Sequence, residues 1–78
     1  MIQFKRLRWR CRRGMKELDV LLSRILEQDY QGYDLNQQKI FEEFLETPDP
    51  VLLDWVMGRS TDYPVKYGFL ISALDRKL

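Results

Sequence analysis

At 78 residues, 45% apolar and 32% charged, the chain has room for one domain, residues 1–78, and enough apolar content that disorder is not its default. It has no run of about 18 apolar residues to span a membrane, no apolar segment behind its basic start to act as a secretory signal, and a single cysteine, which excludes an internal disulfide. The net charge of +1 hides a division into a basic start and an acidic middle, and a cytoplasmic protein without membrane insertion is expected.

In chain order, "MIQFKRLRWR" is basic without one acidic residue, and Phe4, Leu7 and the following Cys11 share one face of a short basic helix. Gly14 then separates this helix from an amphipathic run in which Met15, Leu18, Leu21, Leu22, Ile25 and Leu26 repeat at three and four residues and predict one apolar stripe. Tyr30-Gln31-Gly32-Tyr33 closes that helix. Asn36 reads as the N-cap of a third, with Leu35 placed to pack on Ile40 as a hydrophobic staple and Ile40, Phe41, Phe44 and Leu45 as its stripe. Asp49 reads as a cap with Pro50 at the first helical position, where its missing N–H is harmless. Leu52, Leu53, Val56 and Met57 follow at helical spacing, and Gly58 stops the helix in the left-handed conformation. Asp62 or Tyr63 with Pro64 opens a last helix carrying Tyr67, Leu70, Ile71 and Leu74 inward. No alternating β pattern competes. The expected fold class is all-α, a compact bundle of about five short helices.

The same residues exclude most chemistry. There is no histidine, which removes the commonest general base and metal ligand, and one cysteine without histidine leaves no zinc site of the usual kind. Cys11, on the inner face of its helix, reads as a small core residue. Four scattered glycines lack phosphate-loop spacing, and Glu42-Glu43 reads as a solvated surface pair. An enzyme is not expected.

What remains is the charge. Residues 1–16 hold seven Lys/Arg and no Asp/Glu (+7), residues 17–62 hold eleven Asp/Glu against Arg24, Lys39 and Arg59 (−8), and the last sixteen add +2. A basic block containing Trp9 suits a partner surface. Around Gly14, Arg13 and Glu17 are four apart, a spacing that on a helix puts them within reach of each other. Glycine admits a close-approaching backbone, and arginine's planar fork grips carboxylates or phosphates. Arg6, Trp9, Arg10, Arg13, Gly14 and Glu17 are therefore the candidate partner-binding residues, with no catalytic residue and no metal ligand.

The stretch "RGMKE" matches the R-G-x-x-E signature of the small assembly factors that promote FAD attachment to succinate dehydrogenase and fumarate reductase, the SdhE-type flavinator family. "WRCRRGMKELD" resembles that family's N-terminal block, and "IFEEFLETPDPVLLDWVMG" resembles its central F…L…D-P-x-L-x-x-W-x-x-G region. The resemblance covers essentially the whole chain, with "YPVKYGFLISALDRKL" its least diagnostic part. It implies a non-enzymatic helper that binds the flavoprotein subunit and assists covalent attachment of FAD to a histidine there, with Arg13, Gly14 and Glu17 as functional positions. It also implies that no cofactor is held stably and that the factor acts on the FAD of its partner. Two rivals use the same patch. One is an antitoxin-like interaction module, a label some family members carry. The other is a nucleic-acid binder using "KRLRWRCRR", against which stand the acidic middle and a pI near 7.8.

Overall fold

A computed structural model describes residues 2–77. Five helices follow in order: α1 (Ile2–Arg10), α2 (Lys16–Gln28), α3 (Leu35–Phe44), α4 (Asp49–Val56) and α5 (Gly68–Arg76). Short 3₁₀ turns at Tyr30–Gly32 and Val65–Tyr67 lie between α2 and α3 and before α5. Among the described residues there is no strand, and no helix is long and apolar enough to cross a membrane. The all-α bundle expected from the periodicity is the architecture found.

The stripes converge on one core. Leu18, Leu22, Ile25 and Leu26 of α2, Phe41 and Phe44 of α3, Leu52 of α4 and Leu70 and Leu74 of α5 are fully buried, with Leu7 of α1 and Cys11, just beyond that helix, closing the core. An aromatic group knits the second half together. Phe44 stacks on Trp55 at 6.1 Å, Tyr67 meets Phe44 edge-on at 5.0 Å, and Tyr63 meets Trp55 edge-on at 5.8 Å. The radius of gyration, 11.6 Å, is that of a tightly packed chain of this length.

The helix ends correct several expectations. Asp34, not Asn36, caps α3: its carboxylate accepts from the Gln37 N–H at 2.7 Å while the Gln37 side chain accepts from the Asp34 N–H at 3.1 Å. This reciprocal box satisfies two orphan donors, which a cap at Asn36 would not. Leu35 is consequently the first helical residue and is 77% exposed, so no staple forms on Ile40. Pro48 caps α4, with Asp49 at the first helical position and Pro50 at the second, and the Asp49 carboxylate is used elsewhere. Met57 points outward, and the last helix begins at Gly68, behind the 3₁₀ turn that Pro64 opens. Gly58 does end α4, at φ +75°. The Arg59 N–H reaches the Asp54 carbonyl at 2.9 Å and the Gly58 N–H reaches that of Trp55 at 3.3 Å, the paired bonds of a Schellman ending.

Cys11 is fully buried, and burial pushes its thiol up to about 11 against the pull of Arg13, Arg10 and Arg8. Its thiolate at pH 8 is therefore scarce, roughly one part in a thousand, and sterically shielded. A disulfide reagent at pH 8 is expected to label the native protein very slowly and the urea-unfolded protein within the mixing time. Rapid labelling without urea would place Cys11 outside the core.

Candidate docking surface

The link between α1 and α2 is built for a sharp change of direction. The Cys11 N–H still reaches the Leu7 carbonyl at 3.0 Å and the Arg12 N–H that of Trp9 at 3.1 Å, after which the helix is abandoned. Gly14 takes φ +81°, a region L-residues enter only with strain, and Met15 is extended as it leads into α2. Glu17 and Asp19 stand in the first turn of α2, where the helix dipole favours negative charge. A Cβ on Gly14 would meet nothing of this chain within 4 Å. Inside the molecule the glycine is thus required by its backbone angle, not by crowding.

Arg13 is the fastening of this turn. Its backbone N–H donates to the Asp19 carboxylate, and its guanidinium donates to the carbonyls of Leu45 and, at 3.2 Å, Thr47. Those carbonyls lie at and beyond the end of α3, where the helix leaves acceptors without intrahelical donors and where positive charge is favoured. The buried Nε, which has no hydrogen bond, lies 3.5 Å from the Asp49 carboxylate. Arg10 reaches the same region, donating to the Glu42 carbonyl at 2.9 Å with Glu46 at 3.9 Å.

The expected pairing of Arg13 with Glu17 is therefore corrected. The four-residue rule applies along a continuous helix, and Arg13 lies outside α2, across the reversal at Gly14. Its side chain is only 16% exposed and turned toward α3, while Glu17 stands exposed on α2. Of the six candidate residues, the structure leaves Arg6, Trp9, Gly14 and Glu17 open to solvent and engages Arg10 and Arg13 internally. Trp9, 72% exposed, carries the Arg12 guanidinium 5.7 Å from its ring centre. Arg8 and Glu27 make an exposed pair at 3.4 Å, worth well under about 1 kcal/mol. A shallow cleft of about 310 Å³ between Lys16, Glu17, Val20, Leu21, Arg24 and Lys77 continues the surface along α2.

Asp19 and Asp49 escaped the sequence reading. Asp19 stands two places beyond the signature glutamate, and its spacing gave no sign of a bond back to the Arg13 N–H. Asp49 was assigned to a cap because it precedes proline, and its contact with Arg13 is set by the packing of α3 against the link. Among the described residues no group of three or more His, Cys, Asp or Glu side chains is placed to hold a metal.

Comparison with known proteins places the chain in a family. The family profile described as "Flavinator of succinate dehydrogenase" matches residues 5–76. The chain is similar to the FAD assembly factor SdhE of Coxiella burnetii, at 47% identity over 72 residues, covering 92% of this chain and 88% of that protein. It is also similar to the proteins of the same name from Idiomarina loihiensis, at 44% over 54 residues (69% of this chain, 60% of that one), and Vibrio vulnificus, at 45% over 53 residues (68% and 62%). The matched segment thus spans about three fifths of the latter two. No solved structure matches the chain.

Proposed function

This chain belongs to the flavinator family of succinate dehydrogenase, and on that premise we propose that it binds the flavoprotein subunit of that enzyme and promotes covalent attachment of FAD to it. The observation that carries the reading is the turn at Gly14. It presents a side-chain-free position next to exposed Glu17, in the R-G-x-x-E signature, on a backbone fixed from within by Arg13. Such a surface admits a close-approaching backbone of the partner, which an accommodating but floppy loop would bind less well.

The factor acts as a conformational helper rather than an enzyme. With no histidine it cannot carry the flavin through a histidyl bond itself. The cleft beside Glu17 is a shallow surface groove, which suits holding a protein surface better than enclosing a dinucleotide. Fumarate reductase's flavoprotein subunit is a further partner on this reading, and the cytoplasm is where the encounter takes place.

Glu17→Ala is the cleanest test, because Glu17 is exposed and makes no contact the fold depends on. In cells lacking their own factor, in-gel flavin fluorescence of the flavoprotein subunit is expected to be restored by this protein and not by Glu17→Ala, although both are folded. Full restoration by the variant would remove Glu17 from the docking surface. Failure of the unaltered protein to restore fluorescence would overturn the function itself.

Binding should also weaken with salt, since Lys5, Arg6, Arg8, Arg12 and Lys16 are all exposed. Titrations of the purified flavoprotein subunit between about 0.05 and 0.5 M salt, a range over which the screening length falls from roughly 14 to 4 Å, are expected to show Kd rising throughout. A salt-independent Kd would indicate an apolar interface.

A further inference from the structure

We propose that Asp49 is a positioning residue of the docking surface, acting through Arg13 on the turn at Gly14. The inference rests on reading Gly14 and Glu17 as that surface. It assigns a role to a residue more than thirty positions away from them in sequence, within the central acidic stretch.

The contacts form a chain with no gap. Asp49 stands at the first position of α4, its carboxylate 3.5 Å from the buried Nε of Arg13. One terminal nitrogen of the guanidinium donates to both the Leu45 and Thr47 carbonyls, so the side chain is held at that nitrogen as well as at Nε. Those two carbonyls are neutral acceptors, and Asp49 supplies the anion that makes it favourable to keep a charged guanidinium largely withdrawn from water. At its other end Arg13 is tied to α2 through the bond from its N–H to Asp19. Gly14 follows directly, in a conformation that an unrestrained glycine would share with many others.

Without Asp49 the guanidinium gains by turning toward solvent, and the turn loses its anchor on α3. The glycine would then have to be ordered at the moment of docking, and affinity would fall by the cost of ordering it. Asp54 provides a control on the same helix. Its ion pair with Arg59, at 3.6 Å, is exposed and involves no part of the α1–α2 link.

Two measurements test this on the full chain. The first needs no partner. Amide hydrogen exchange at Arg13, whose N–H is bonded to Asp19, is expected to accelerate in Asp49→Ala, by roughly tenfold for a local opening eased by one ordinary hydrogen-bond's worth of stability, while the Leu22 and Ile25 amides exchange no faster relative to global unfolding. Asp54→Ala should leave the Arg13 amide unchanged. The second is calorimetric titration of the flavoprotein subunit. Asp49→Ala is expected to raise Kd roughly tenfold with the stoichiometry still one to one, and Asp54→Ala to leave Kd as it was.

An unaltered Kd with fewer competent molecules would make Asp49 a residue of stability alone and overturn the proposal. So would unchanged exchange at Arg13, or an equal effect from Asp54→Ala. If the unaltered protein does not bind the flavoprotein subunit while the exchange result stands, the functional reading has failed and the clamp survives only as architecture.

Discussion

Phe44→Ala is expected to leave the protein largely unfolded at 37 °C. Phe44 is fully buried at the centre of the aromatic group, stacked on Trp55 and met edge-on by Tyr67. Truncating such a ring costs about 3–5 kcal/mol, through lost burial and the cavity that neighbouring rings cannot fill. A single core in a domain of this size contributes only roughly 3–5 kcal/mol of net stability, so the substitution consumes most of it. Leu22→Ala, equally buried on α2, should cost about 2–5 kcal/mol and act in the same direction. Thermal melts followed by helical circular dichroism would show both effects, and a melting temperature unchanged in either variant would mean that the assigned core is wrong.

Gly14→Val is expected to remain helical while losing most of its ability to promote flavinylation. The loss has two sources that can be separated. At φ +81° a β-branched side chain is strained, at a cost of order 1–3 kcal/mol, which lowers the melting temperature but falls on a link outside the core. The second source is the isopropyl group itself. It would meet no close neighbour of this chain at its Cβ, so it projects from the surface the partner is proposed to approach. Dichroism and in-gel flavin fluorescence on the same preparations should therefore part company. A well-folded Gly14→Val that restores full fluorescence would reduce the glycine to a structural joint.

The helices were legible because their stripes are periodic. Leu18, Leu22 and Ile25, or Leu70 and Leu74, recur at the spacing of one helix face, and burial follows from that alone. Gly58 was legible for a local reason too, since few residues but glycine end a helix with a positive φ. The ends of α3 and α4 were misread by one or two positions. The capping spacing of Asp34 and Gln37 is present in the sequence, but Asn36 is also a good capping residue, and only the completed pair of bonds decides between them. Trp55 was left out of the apolar stripe although three aromatic partners, Phe44, Tyr63 and Tyr67, draw it into the core.

Arg13 marks the limit of reading by spacing. Its place beside Gly14 and Glu17 was visible, and so was its resemblance to a family signature. Its partners were not, because Leu45, Thr47 and Asp49 lie more than thirty residues later and are brought up by the packing of α3. Spacing pairs it with Glu17, and the fold instead joins it to the carbonyls that follow α3 and to Asp49.

Gly14 is proposed to serve docking and not only the path of the chain, and Gly58 offers a matched comparison. Both glycines have positive φ, +81° and +75°, and at both a Cβ would meet nothing within 4 Å. Gly14→Ala and Gly58→Ala should therefore carry similar backbone strain, of order 1 kcal/mol, and similar losses of melting temperature. The decisive measurement is covalent flavin per flavoprotein subunit as a function of the concentration of folded factor, with purified subunit and FAD. Gly58→Ala is expected to follow the unaltered protein, and Gly14→Ala to require several-fold more factor, on the order of the loss from one obstructed close contact. Coincident curves for the two variants would leave Gly14 no part in docking.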